Sequence, residues 1–88
     1  MYEVAVTPRA VRDLKRLPRL PKEVLYRVDR AILKLRSEPY PARVKHLRDG
    51  KLADFRIRVG DYRILFDVDE TMKRVVIFRV GHRKNIYR

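Results

Sequence analysis

Phe55-Arg56-Ile57-Arg58-Val59-Gly60-Asp61-Tyr62-Arg63-Ile64-Leu65-Phe66 reads as a β-hairpin. Phe55, Ile57 and Val59 alternate with Arg56 and Arg58, the period-two pattern of a strand with one buried face. Gly60-Asp61 supplies a two-residue turn, and Tyr62 to Phe66 returns. A loop of that length sets Val59 opposite Tyr62, Arg58 opposite Arg63, Ile57 opposite Ile64, Arg56 opposite Leu65 and Phe55 opposite Phe66. Cross-strand partners share a face. One face is therefore apolar and faces a core, while the other gathers Arg56, Arg58 and Arg63 around Leu65.

Outward from the hairpin, Asp67 to Lys73 forms an acidic turn and Arg74 to Val80 a last strand, apolar at its centre. Such a run predicts a strand buried on both faces, hence central in the sheet. Towards the N-terminus, Tyr2 to Val6 alternate as a short strand, and Thr7-Pro8 offers an N-cap followed by proline at the first helical position. Ala10, Val11, Leu14 and Leu17 share one face of this helix. Asp13 falls with Arg9 and Arg16 on its solvated side. Leu17-Pro18-Arg19-Leu20-Pro21 breaks the helix. Val24, Leu25, Val28, Ala31, Ile32 and Leu35 form the stripe of a second, with Glu23 and Arg27 spaced for an i,i+4 pair. Ser37 to Pro41 ends it.

The order β-α-α-β-β-β predicts one α+β domain over residues 1–88: a two-helix hairpin packed on one face of a small, mostly antiparallel sheet. The opposite face is expected to be open and basic. The pattern leaves the direction of the first strand open.

Composition narrows the function classes. The 88 residues carry 23 Lys+Arg against 11 Asp+Glu, a formal charge of +12. So much positive charge on a small fold points to a polyanionic partner, nucleic acid first. Arginine outnumbers lysine 16 to 7, which favours bidentate phosphate recognition. The absence of cysteine excludes a disulfide framework, a thiolate zinc site and a cysteine nucleophile. Ser37, Thr7 and Thr71 are the only aliphatic hydroxyls, which argues against acyl-enzyme chemistry. No apolar run reaches the ~18 residues of a membrane span. With no signal-peptide pattern either, the expected compartment is the cytoplasm.

Arg56, Arg58 and Arg63 are the strongest functional signal. Like charges on adjacent strand positions destabilise a sheet unless something outside the fold offsets them, and a phosphate-binding platform does so. Arg83, just past the last strand, is placed to join them, with Lys84 beside it. Tyr87 is either a clamp on the sheet or a plate for an unstacked base. His82 is a surface histidine or a proton-transfer group. His46 reads as a loop residue, and the two histidines are too far apart in sequence to build a metal site. Asp67, Asp69 and Glu70 read as a solvated turn, not a cation cage.

The hairpin stretch, the Leu47-x-x-Gly50 loop, and Val80-Gly81-His82-Arg83-Lys84-Asn85-Ile86-Tyr87 together resemble the RelE branch of the RelE/ParE toxins of type II toxin–antitoxin systems, over essentially the whole chain. The resemblance implies a metal-independent endoribonuclease, needing no cofactor, that cuts mRNA in the ribosomal A site. The RNA 2′-hydroxyl would attack the adjacent phosphate. It places the catalytic basic pair on Arg56 and Arg58, the scissile phosphate on Arg63 and Arg83, and the stacking tyrosine on Tyr87. The implied partners are the ribosome, mRNA and a RelB-like antitoxin that wraps an acidic segment around the toxin. The best-known members carry lysines in the basic pair; a guanidinium stays protonated at neutral pH and is a poor base, which draws attention to His82. The alternatives are a ParE-like gyrase poison and a member that binds ribosomes or RNA without cutting.

Overall fold

The computed structural model of the chain describes residues 1–41, 44–47 and 53–86. Thr7 caps the first helix as its sequence demands: its backbone is extended and its hydroxyl accepts the Ala10 N–H at 3.2 Å. Helix α1 runs Pro8–Arg16 and continues into a single 3-10 turn, Leu17–Arg19, where Pro18 ends the α-helical ladder. Helix α2, Lys22–Lys34, follows and buries Val28 together with Leu35 just beyond its end.

The strands are β1 (Glu3–Val6), β2 (Lys45–His46), β3 (Phe55–Val59), β4 (Tyr62–Asp69) and β5 (Arg74–His82), in the sheet order β1-β5-β4-β3-β2. β1 lies parallel to β5 and the other pairs are antiparallel. The α+β architecture is the one the sequence predicts, and the β3–β4 register matches it at all five positions. β5 is internal as expected, although β4 occupies the middle of the five. β2 is an addition: His46, expected in a loop, sits in this short strand and stacks on Phe55 with centroids 5.1 Å apart.

The main core lies between the helices and the sheet, around Phe66, Ile64, Ile77, Val75, Val80, Val28 and Leu35. Two helix expectations are corrected. Val11 is exposed, and the buried face of α1 carries Asp13 in its place. Spacing of i, i+3, i+4 and i+7 from Ala10 selects Asp13, Leu14 and Leu17, so the carboxylate enters the helix–sheet interface instead of joining a solvated charge face. There Asp13 accepts from Arg79 Nε at 2.8 Å and from the Val80 N–H at 3.0 Å, with both side chains largely buried. Glu23 and Arg27 form no ion pair among the described residues.

The face opposite the helices is less open than expected. Leu65 is fully buried there beneath Ala53 and Ile86, with Leu47 and Phe78 packed alongside. The chain gets there by a turn after β5, in which Asn85 and Ile86 donate to the His82 carbonyl. The register of β5 shifts opposite Leu65/Phe66, leaving Phe78 as the extra residue. The Phe78 carbonyl accepts from the Thr7 hydroxyl at 3.2 Å, which ties this irregularity to the start of α1. Among the described residues, no helix is long and apolar enough to cross a membrane.

At the far end, Glu70 accepts from the hydroxyls of Tyr2 and Tyr40 and lies 3.8 Å from Lys73 Nζ. The Tyr2 hydrogen bond, foremost, holds the Glu70 carboxyl below its ordinary value. A lowered carboxylate pKa contributes stability above the ordinary glutamate value, and that contribution is lost as pH falls through the lowered one. Glu70→Gln is therefore expected to shrink the loss of Tm between about pH 7 and about pH 3, by a small amount because the site is exposed.

Candidate functional site

The β3–β4 turn organises the basic end of the sheet. Gly60 has φ +59°, the left-handed conformation that a two-residue hairpin turn with glycine first requires. Gly60→Ala is expected to destabilise the fold by about 1 kcal/mol, and Gly60→Asn by less, as read by thermal melts. The pairing then sets Arg58, Arg63 and Gly81 in one row across three strands.

The four arginines singled out by sequence lie near this end, but each is held differently. Arg63 is turned inward, only 8% exposed, and its Nη1 donates to the carbonyls of Gly60 at 2.8 Å and Tyr62 at 2.9 Å. Its charge thus sits beneath the turn instead of standing free on an open face. Arg83 is exposed: its N–H donates to the Asp61 carbonyl at 2.8 Å, and its Nε lies 3.8 Å from the Asp61 carboxylate. Arg56 is half-buried between Lys45 and Leu65. Arg58 is exposed at the side of β3 nearest α2 and lines a groove against that helix.

His82 pairs with Tyr62 in the register, and the two rings meet edge-on at 5.5 Å. Its Nδ1 accepts the N–H of Lys84 at 3.1 Å, so a neutral ring carries its hydrogen on Nε2 and offers a donor there. Lys84 itself is exposed beside Arg83. Tyr87 lies outside the described residues. Among the described residues, no group of three His, Cys, Asp or Glu side chains is placed to hold a metal ion.

One cation at this end was not singled out by the sequence reading. Arg27 of α2 reaches the turn, its Nη1 3.6 Å from where a side chain at Gly60 would begin. The spacing of Arg27 suggested only a local pair with Glu23; its approach to a turn more than thirty residues away depends on how α2 crosses β3.

Residues 4–87 match the family described as the ParE toxin of type II toxin–antitoxin systems. The chain belongs to the RelE/ParE superfamily of toxins. Within it, this toxin is similar to Toxin RelG of Mycobacterium tuberculosis, with 40% identity over 87 residues, covering 99% of this chain and 97% of RelG. Among solved structures, it resembles a chain of the RelBE2 toxin–antitoxin complex of M. tuberculosis, with TM-score 0.76, 37% identity and coverage of 93% and 98%. It also resembles a chain of the archaeal RelE–RelB complex of Pyrococcus horikoshii OT3, with TM-score 0.76, 28% identity and coverage of 96% and 97%. The toxin is thus of the RelE family by its relatives, within a superfamily whose matching model carries the ParE name.

Proposed function

We propose that this toxin is a ribosome-dependent endoribonuclease that cuts mRNA in the A site and is restrained by a RelB-like antitoxin. The observation that carries the reading is the row Arg58–Arg63–Gly81, with Arg56 and Arg83 on either side of it, at one end of the sheet. The chain is poor in hydroxyl nucleophiles and has no cysteine, which suits the reaction that the resemblance to RelE implies, one whose nucleophile comes from the substrate. In RNA that is the 2′-hydroxyl. Its oxygen attacks the adjacent phosphorus, the bond to the 5′-oxygen breaks, and a 2′,3′-cyclic phosphate and a 5′-hydroxyl remain. The 2′-hydroxyl proton leaves to a base and the departing 5′-oxygen gains one.

Arginines suit the central part of that reaction. They hold the phosphate and stabilise charge as it grows on the phosphorane oxygens. Arg83 is exposed and can release Asp61 for a phosphate. Arg63, fixed by two carbonyls, would add a preset charge beneath the site. Tyr87 would stack on the A-site base and Lys84 would hold RNA backbone. The antitoxin reading rests on the +12 charge and on the RelB-containing complexes in which similar chains are found.

Cut RNA should carry cyclic phosphate ends, and a message with a single 2′-deoxy residue at the cleavage position should stay intact. Cutting of the deoxy message would overturn 2′-hydroxyl attack. His82→Ala should remove one limb of the pH–rate profile if His82 moves the proton; an unchanged profile puts it outside the chemistry. The ParE name of the matching family favours the second reading, a gyrase poison, which a supercoiling assay with purified toxin tests directly.

A further inference from the structure

Arg79 stands between Phe78 and Val80 in β5, and its guanidinium is shared between two parts of the fold. Nε and Nη2 donate to the Asp13 carboxylate of α1, at 2.8 Å and 3.4 Å, while Nη1 donates to the Ile86 carbonyl at 3.4 Å. Ile86 closes the turn that follows β5. Its side chain is fully buried with Leu65 and Ala53, and its Cδ1 lies 3.2 Å from where a side chain at Gly81 would begin. The turn is pinned at its start by the Arg83 N–H, which donates to the Asp61 carbonyl, and at its end by Arg79. Between the two pins stand Arg83 and Lys84, and Tyr87 is the next residue in the chain.

We infer that Arg79, set by Asp13, is a positioning residue for mRNA cleavage: by holding the Ile86 carbonyl it fixes the turn that carries Arg83 and Lys84. The role in cleavage rests on the nuclease reading; the hold on the turn does not. Energetics argue for a task beyond stability. Burying two ions costs desolvation on both, and an apolar pair of similar volume is often no less stable. An apolar pair, however, has no donor for a carbonyl. The planar guanidinium does, because its donors point in fixed directions and span a carboxylate and a carbonyl at once. The register shift at Phe78 serves the same end, since such irregularities re-aim side chains beside active sites. It sets Arg79 across from Leu65, the residue that Ile86 covers.

The test uses Asp13→Leu combined with Arg79→Met, and separately Arg79→Lys, which keeps the charge but gives up the fork. Circular dichroism sets a temperature at which each protein is folded. Amide hydrogen exchange at Asn85 and Ile86, which both donate to the His82 carbonyl, should speed up about tenfold relative to Val75 and Ile77 in the middle of the sheet. At saturating toxin, cleavage of ribosome-engaged mRNA should slow about 10- to 100-fold, because a small misplacement at the reacting centre is costly. The half-saturating toxin concentration should change less than about threefold, since Arg83 and Lys84 are still present to bind. A merely structural Arg79 would leave the rate of the folded protein where it was.

Exchange at Asn85 and Ile86 that matches the parent in the folded apolar pair overturns the inference. So does a turn that loosens while cleavage keeps the parent rate. A higher half-saturating concentration at an unchanged maximal rate overturns it too, because the turn would then bind without positioning. If the apolar pair does not fold, Arg79→Lys decides by the same readings. If the parent itself leaves message intact, the nuclease reading and with it the role in cleavage fail, while exchange still decides whether Arg79 holds the turn.

Discussion

Asp13→Ala should lower stability by about 3–5 kcal/mol, the range for removing one partner of a buried pair. For a domain of this size that corresponds to a fall in Tm on the order of 15–30 °C. The size follows from what is left behind. Arg79 would keep its charge in a largely buried site without the carboxylate that accepts from its Nε, and the Val80 N–H would lose its acceptor. Asp13→Asn tests the partition, since an amide oxygen can still accept from Val80 but carries no charge; it should recover only part of the loss. The paired change Asp13→Leu with Arg79→Met should recover most of it, because an apolar pair of similar volume removes the desolvation cost of both ions. If Asp13→Ala melts within a few degrees of the parent, the pair does not hold α1 to β5 as described.

Arg83→Ala should reduce mRNA cleavage about 10²- to 10³-fold with the fold intact, the magnitude typical of losing one donor to a developing oxyanion. Arg83 is the sharpest probe of the set because it is exposed and its only ion pair among the described residues, with Asp61, is long. A surface pair of that kind contributes at most about 1 kcal/mol, so its loss should not disturb the melt. Arg63 makes a poorer probe. Its guanidinium bonds two carbonyls of the turn, so Arg63→Ala would lower stability and activity together. Comparing the two variants separates chemistry from scaffolding: loss of cleavage in both, with destabilisation only in Arg63→Ala, is the expected pattern.

The hairpin was legible because period-two alternation and a Gly-Asp turn leave little freedom of register. Thr7-Pro8 marked the start of α1 for the same local reason. What the sequence hid is non-local. Asp13 reads as a solvated helix acid until α1 is packed on β5, although a charged Arg79 inside an apolar strand is a signal that a buried partner must exist. Ile86 reads as tail until the turn after β5 lays it over Leu65. Arg63 reads as outward-facing by alternation, yet a long side chain at a strand end can bend to the carbonyls of its own turn. The basic cluster was legible as a cluster of charge, but not in how each guanidinium is held. Arg27 could not be placed at the turn by any spacing within α2.

The most direct test of the central claim is primer extension on mRNA in a cell-free translation reaction, with the parent toxin beside folded Arg83→Ala. Cuts confined to ribosome-engaged message, and lost in Arg83→Ala, are the predicted result. Intact message with translation continuing would contradict the nuclease account, and stalled translation on intact message would reduce it to a ribosome binder that does not cut.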